Sequence, residues 1–79
     1  MERNEMERKS ESVIVQDPEI LSGEPVFRRT RVPFQSLLDY LEAGDTLDQF
    51  LEQFPGVSRA DAIAALEEAK ALVLARFSK

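Results

Sequence analysis

The sequence predicts a mainly α protein, with a three-helix core of the helix-turn-helix type and a short β element at its N-terminal side. Two short β-type runs come first, then apolar residues at helical spacing after Pro33, then a long helical segment after Ser58. A chain of 79 residues makes one small domain with a marginal core. We expect residues 13–77 to form this domain, residues 1–12 to be a mobile N-terminal arm, and residues 78–79 to be a tail.

The β element is predicted from two extended runs. Residues 12–15 read SVIV and are closed by Asp17 and Pro18, which disfavour a helix. Residues 25–28 read PVFR and form the second run. We expect residues 13–15 to pair with this run; the alternative is that both are irregular loop.

The first helix begins after Pro33, which suits the first turn because its missing N–H costs nothing there. Gly44 is expected to end this helix in a left-handed conformation. The next helix starts with a capping box, in which Thr46 caps Gln49 and Gln49 reaches back, and it stops at residues 55–56. The apolar positions of the two helices are Phe34, Leu37, Leu38, Leu41, Leu47, Phe50, Leu51 and Phe54.

The third helix is predicted over residues 59–76, with Ser58 as its cap and Asp61 in its first turn. Its expected apolar stripe consists of Ile63, Leu66, Ala69 and Val73. Residues 71–75 are apolar nearly all round, so part of this end should face another chain, unless the first strand or the N-terminal arm covers it. We predict a homodimer whose interface includes Val13, Val15, Leu72, Val73, Leu74 and Phe77.

Composition argues against catalysis. The chain has no cysteine and no histidine, which removes disulfides, thiolate metal sites and the commonest general base. It has no glycine-rich phosphate loop and no metal-ligand spacing, and its acidic pairs suit solvated helix faces. We therefore expect no enzyme, no cofactor and no metal. The absence of a long apolar stretch predicts no membrane span and a cytoplasmic protein.

Positive charge is concentrated in one segment, residues 28–31, which read RRTR. Residues 34–57 carry five acidic side chains and no basic one, and the whole chain has a net charge of −5, which argues mildly against nucleic-acid binding. Guanidinium groups bind phosphate or carboxylate in a bidentate manner, and a threonine hydroxyl could add a donor. The predicted partner- or DNA-binding residues are Arg28, Arg29, Thr30, Arg31, Arg59 and Lys70.

The three arginines are expected to divide their roles. In an extended segment, Arg28 and Arg29 point to opposite sides, and at least one arginine of the segment faces inward. We expect that one to be Arg31, paired with Asp39, Glu42 or Asp17, and the other two to meet an external partner. Either phosphate groups, such as those of a DNA backbone, or carboxylates of a partner suit them.

Two strings of the sequence resemble a known family. Residues 17–33 contain DPEI and then GEPVFRRTRVP, and residues 41–66 contain LEAGDTLDQFL and then FPGVSRADAIAAL. These resemble the bacterial domain of unknown function family 433, and the resemblance spans about residues 13–74. The positions that match its motifs are Gly23, Pro25, Arg28, Thr30, Arg31, Pro33, Gly44 and Pro55. One position departs, since the family usually has glycine where this chain has Arg29. If that position has a positive φ, arginine is strained there by about 1 kcal/mol.

The resemblance implies a homeodomain-like helical fold and an antitoxin-like function, similar to the VapB-type partners of PIN-like ribonuclease toxins. From it we expect a non-enzymatic module that binds and neutralises a PIN-like nuclease toxin and also binds operator DNA. The alternatives are a DNA-binding transcriptional regulator without a toxin, and a homo-oligomeric interaction protein. The third helix is poorly suited to contact DNA, because Arg59 and Lys70 are its only basic residues before the last turn.

Overall fold

A computed structural model of the protein describes residues 12–77. The expected N-terminal arm therefore lies outside the described residues apart from Ser12, and the expected tail, residues 78–79, also lies outside them. The described chain holds two short strands and three helices, in the order predicted, and a 3₁₀ turn over Leu21–Gly23 that was not predicted. The predicted fold class, a small helical core with a short β element, is confirmed.

The β element is a two-stranded antiparallel sheet. Strand β1 (Ile14–Val15) pairs with β2 (Val26–Phe27), so that Ile14 lies opposite Phe27 and Val15 opposite Val26. Both residues of β2 are fully buried, because the segment that follows folds back on the strand's other side. In that segment Pro33 forms a bridge with Val26, and the amide of Phe27 donates to the carbonyl of Val32. The predicted pairing of residues 13–15 with residues 25–28 is confirmed.

Three helices follow, each with the end signals that the sequence contains. Helix α1 spans Phe34–Glu42, and Pro33 lies just outside it as the N-cap. Gly44 follows with a φ of 95°, as the left-handed helix end requires. Helix α2 spans Leu47–Gln53, and its capping box is formed at both hydrogen bonds. Helix α3 spans Arg59–Arg76, and Ser58 accepts a hydrogen bond from the backbone amide of Asp61.

The core combines residues from β1, β2 and all three helices, and from the segments beside them. Its buried members are Val13, Phe27, Leu37, Phe50, Val57, Ala62 and Ala65. Phe50 is the centre of the aromatic packing, since its ring lies 6.2 Å from that of Phe27 and 4.9 Å from that of Phe54 between centroids. The apolar positions predicted for α1 and α2 are all buried or half-buried.

The predicted stripe on α3 is partly wrong. Ile63 is 43% exposed, and the helix meets the core through Ala62 and Ala65 instead, with Leu66 half-buried beside them. Large aromatic side chains from β2 and α2 already fill the core, so α3 approaches it with small residues. Within residues 12–77, no helix is long and apolar enough to cross a membrane.

Candidate functional site

The arginine-rich segment forms a tight turn, residues 28–31, which we call the arginine turn. The side chain of Thr30 holds it closed: its hydroxyl donates to the carbonyl of Phe27 at 2.7 Å and accepts from the amide of Val32 at 2.9 Å. The backbone amide of Thr30 donates to the same Phe27 carbonyl at 3.0 Å. This corrects the expectation that Thr30 offers a donor to a partner, because the hydroxyl proton is used inside the turn.

Arg29 occupies the tip of the turn with a φ of 61°, in the left-handed region that favours glycine. The sequence resemblance anticipated this conformation through the glycine that the family usually has at this position. For an L-residue it costs about 1–2 kcal/mol, because Cβ comes close to the following carbonyl oxygen. The side chain of Arg29 is exposed. A strained backbone therefore presents a charged side chain to solvent.

Arg28 faces the protein rather than a partner. Its guanidinium donates twice to Asp61, from Nε to Oδ2 at 3.2 Å and from Nη2 to Oδ1 at 3.1 Å. The Arg28 side chain is 37% exposed and the Asp61 side chain 15%, so the pair is partly buried. The amide of Arg28 also donates to the carbonyl of Val13 at 2.8 Å. The pair fastens the arginine turn to the first turn of α3.

The expected roles of Arg28 and Arg31 are therefore exchanged. We expected Arg31 to pair with an acid of the chain, but its side chain is exposed, and within residues 12–77 it forms no ion pair. The reason is that the segment turns instead of staying extended, so the alternation of a strand does not apply. Asp61 was assigned only to the helix dipole, and nothing in the sequence indicates its contact with Arg28, 33 positions away.

The arginine turn lies against the loop that joins α2 to α3. A Cβ built on Gly56 would lie 3.8 Å from Cγ2 of Thr30, which is an ordinary contact distance. The turn therefore sits beside the helix-turn-helix connection. It places the exposed guanidinium groups of Arg29 and Arg31 on a part of the surface separate from the exposed end of α3.

The other two predicted binding residues are both paired with acids on the surface. Arg59, at the start of α3, forms an ion pair with Asp48 in the first turn of α2. Lys70 pairs with Glu67 one turn earlier in α3, with Nζ 3.2 Å from Oε1. All four side chains are more than half exposed, so these pairs contribute little to stability. They leave the early exposed face of α3 without an excess of positive charge.

The residues predicted for a dimer interface divide into two groups. Val13 is 9% exposed and belongs to the core, which removes it from the predicted interface. Val15 is 38% exposed on β1. The remaining members are exposed at the end of α3: Leu72, Val73, Leu74 and Phe77.

An open groove of about 170 Å³ leads to that end of α3. Its lining is formed by Ile14, Phe34, Ala65, Glu68, Ala69 and Leu72. The hydroxyl of Ser12 donates to Oε1 of Glu68 at 2.7 Å at its rim. The groove is below the 300–1,000 Å³ typical of small-molecule sites. Among residues 12–77, no group of three or more acidic, histidine or cysteine side chains is arranged to hold a metal ion.

Comparison with known proteins gives a family and a fold. The family described as "Protein of unknown function (DUF433)" matches residues 14–69. A solved structure with the same fold is the crystal structure, at 2.00 Å resolution, of a DUF433 member protein from Anabaena variabilis ATCC 29413. It is 23% identical with a TM-score of 0.68, and the similarity covers 89% of this chain and 69% of that one. A search of curated proteins finds no match. Since the family match spans most of the chain, this protein belongs to the DUF433 family.

Proposed function

We propose that this protein is a non-enzymatic binding module of the antitoxin type, and that the arginine turn is its docking element for an acidic partner. The partner that fits is a PIN-like ribonuclease, whose metal-binding carboxylates would receive Arg29 and Arg31. The observation that carries the proposal is the conformation of Arg29, which is exposed on a closed turn at a φ of 61°.

Backbone strain at an exposed charged residue supports a binding role. A residue in the left-handed region lowers stability unless the surroundings or a ligand compensate. Among the described residues, the guanidinium of Arg29 has no ion pair that could do so. Thr30 fixes the turn through two hydrogen bonds, and Arg28 ties it to α3. The turn is thus ordered before any partner arrives, which lowers the entropy lost on binding.

The charge distribution favours an acidic protein over a nucleic acid. Guanidinium groups form bidentate hydrogen bonds with carboxylates, and two of them beside a carboxylate cluster can take the place of a metal ion. The net charge of −5 opposes approach to a polyanion such as DNA. Helices α1 and α2 carry four acidic side chains and no basic one. A small acidic pocket is therefore a better match than a long duplex.

DNA binding remains the second candidate, on one specific observation. The arginine turn lies beside the connection between α2 and α3, where Thr30 approaches Gly56. In a homeodomain, an arm beside the recognition helix reaches into the adjacent minor groove of the DNA. The pairing of Arg59 with Asp48 and of Lys70 with Glu67 weakens this candidate, because it occupies the basic residues of α3.

Affinity capture of the tagged full-length protein from its own host tests the proposal, with and without nuclease treatment and with mass spectrometry as the readout. We expect a stoichiometric small protein that survives nuclease treatment. The double variant R29A/R31A should lose it. The matched control R59A/K70A, which removes the same charge from α3, should retain it.

Two outcomes would reject the antitoxin function. If only DNA is captured and nuclease treatment removes it, the protein is a regulator; loss of binding in R59A/K70A would then point to α3. If a protein partner is captured equally well by R29A/R31A, the arginine turn is not the docking element.

A further inference from the structure

The last two turns of α3 extend beyond the core. From Lys70 to Phe77 every residue is exposed, whereas Ala62 and Ala65 earlier in the helix are buried. Leu72 is 69% exposed and Phe77 is 73% exposed, and Val73 and Leu74 are both more than half exposed. Exposed apolar surface of this kind is typical of an interaction site.

Part of this surface continues the face with which α3 meets its own core. Residues three and four apart lie on one face of a helix, so the face that includes Ala65 and Ala69 continues through Leu72 and Val73 to Arg76. The groove between β1, α1 and α3 opens onto the same face, with Ile14 and Phe34 as its walls. A partner helix laid along this face would fill the groove and cover Leu72 and Val73.

The charges on this face are self-complementary. Glu68, Leu72 and Arg76 follow one another at four-residue steps, which places an acid one turn before Leu72 and a base one turn after it. If two copies of α3 lie antiparallel with Leu72 at the two-fold axis, each Glu68 faces the partner's Arg76. The contact then repeats by symmetry, as a closed dimer interface requires.

We propose that a second copy of this chain occupies the face, through antiparallel pairing of the two α3 ends about Leu72. This inference is independent of the proposed function, because it does not involve the arginine turn.

A second copy fits the face better than residues 1–11 of the same chain. Those residues contain only two apolar side chains, Met1 and Met6, among polar and charged ones. Two methionines five positions apart do not form one apolar face of a helix, which Leu72 and Val73 require of their partner. A second α3 supplies the same number of apolar side chains as it covers.

Charge exchange in the full-length protein tests the pairing, with sedimentation equilibrium at low ionic strength as the measurement. The wild-type protein should be a dimer. Glu68→Arg should raise the dimer dissociation constant roughly ten- to a hundredfold, because symmetry turns two attractive contacts into two repulsive ones. Arg76→Glu should do the same. The double variant E68R/R76E should recover most of the affinity, because the exchanged charges again face each other.

A matched control lies one position away. Glu67→Arg makes the same change of charge outside the proposed face, next to Lys70, and should leave the dissociation constant within a few-fold of wild type. Leu72→Glu should give a monomer with an unchanged circular dichroism spectrum, because Leu72 does not support the core.

Three results would overturn the inference. The first is a wild-type protein that stays monomeric at high concentration. If removal of residues 1–11 then produced a dimer, the arm would be the occupant of the face instead. The second is an equal effect of E68R and E67R. The third is a double variant E68R/R76E that dimerises as weakly as the single variants. The recovery expected for the double variant cannot come from the Ser12 hydrogen bond to Glu68, because E68R and E68R/R76E both lack that bond.

Discussion

Arg29→Gly should make this protein more stable. Arg29 has a φ of 61°, where a residue with a Cβ is strained and glycine is not. The surrounding turn does not depend on the arginine side chain, because its hydrogen bonds come from Thr30 and from the backbone. The substitution therefore relieves strain while leaving the contacts of the turn in place.

The expected size of the effect is the difference between two terms. An L-residue in the left-handed region lowers the free energy of unfolding by about 1–2 kcal/mol, and glycine removes this strain because it has no Cβ. Glycine loses about 0.5–1 kcal/mol more conformational entropy on folding than other residues. The net gain is about 0.5–1 kcal/mol, and for a domain of this size that raises the melting temperature by about 2–8 °C.

Urea unfolding of three proteins measures this gain: wild type, R29G and R29A. R29A removes the same charge and keeps a Cβ, so the difference between R29G and R29A isolates the backbone term. We expect R29G to have the highest midpoint with an unchanged dependence on urea. Equal midpoints for R29G and R29A would refute the reasoning, because the strain at this position would then be no larger than the extra entropy that glycine loses on folding. Under the proposed function, R29G should also capture its partner less well than wild type does.

The remaining predictions concern stability and are measured by urea unfolding. R28A and D61A should each lower the free energy of unfolding by about 1–3 kcal/mol, because either change leaves a partly buried charge without its partner. The double variant should lower it by clearly less than the sum of the two. Additive values would mean that the pair does not couple the turn to α3. T46A should cost about 1 kcal/mol through loss of the capping box, and an unchanged midpoint would contradict the cap. F50A should cost about 3–5 kcal/mol and leave little folded protein, since Phe50 is fully buried among aromatic rings; a well-folded F50A protein would contradict its central place in the core.

Local signals predicted the elements of this fold well. Thr46 and Gln49 form the capping box that their spacing indicates, Ser58 caps α3, and Gly44 follows α1 with a positive φ. These features depend on residues only a few positions apart, so a short stretch of sequence is enough to predict them. The two strands were predicted by their β-type residues and by the turn signals around them.

The predicted site was less accurate, because it depends on contacts between distant residues. Arg28 and Arg31 were assigned by the alternation of an extended strand, but a turn held by Thr30 redirects them. Asp61 is 33 positions from Arg28, and no local pattern connects the two. In α3 Ile63 was expected on the buried stripe, yet the helix packs through Ala62 and Ala65 because aromatic rings already occupy the space. Tertiary packing decided each of these points.

The position of Val13 has a consequence for how this chain unfolds. Val13, near the N-terminal end of the described chain, shares a single buried cluster with Ala65 in α3, so neither β1 nor the first half of α3 can detach without opening that cluster. Backbone amides of β2, α1 and α2 should therefore exchange their hydrogens with solvent only through one common opening of the whole domain. The amides of residues 70–77 should exchange much earlier in a monomer. Slow exchange there would report, amide by amide, that the end of α3 is covered.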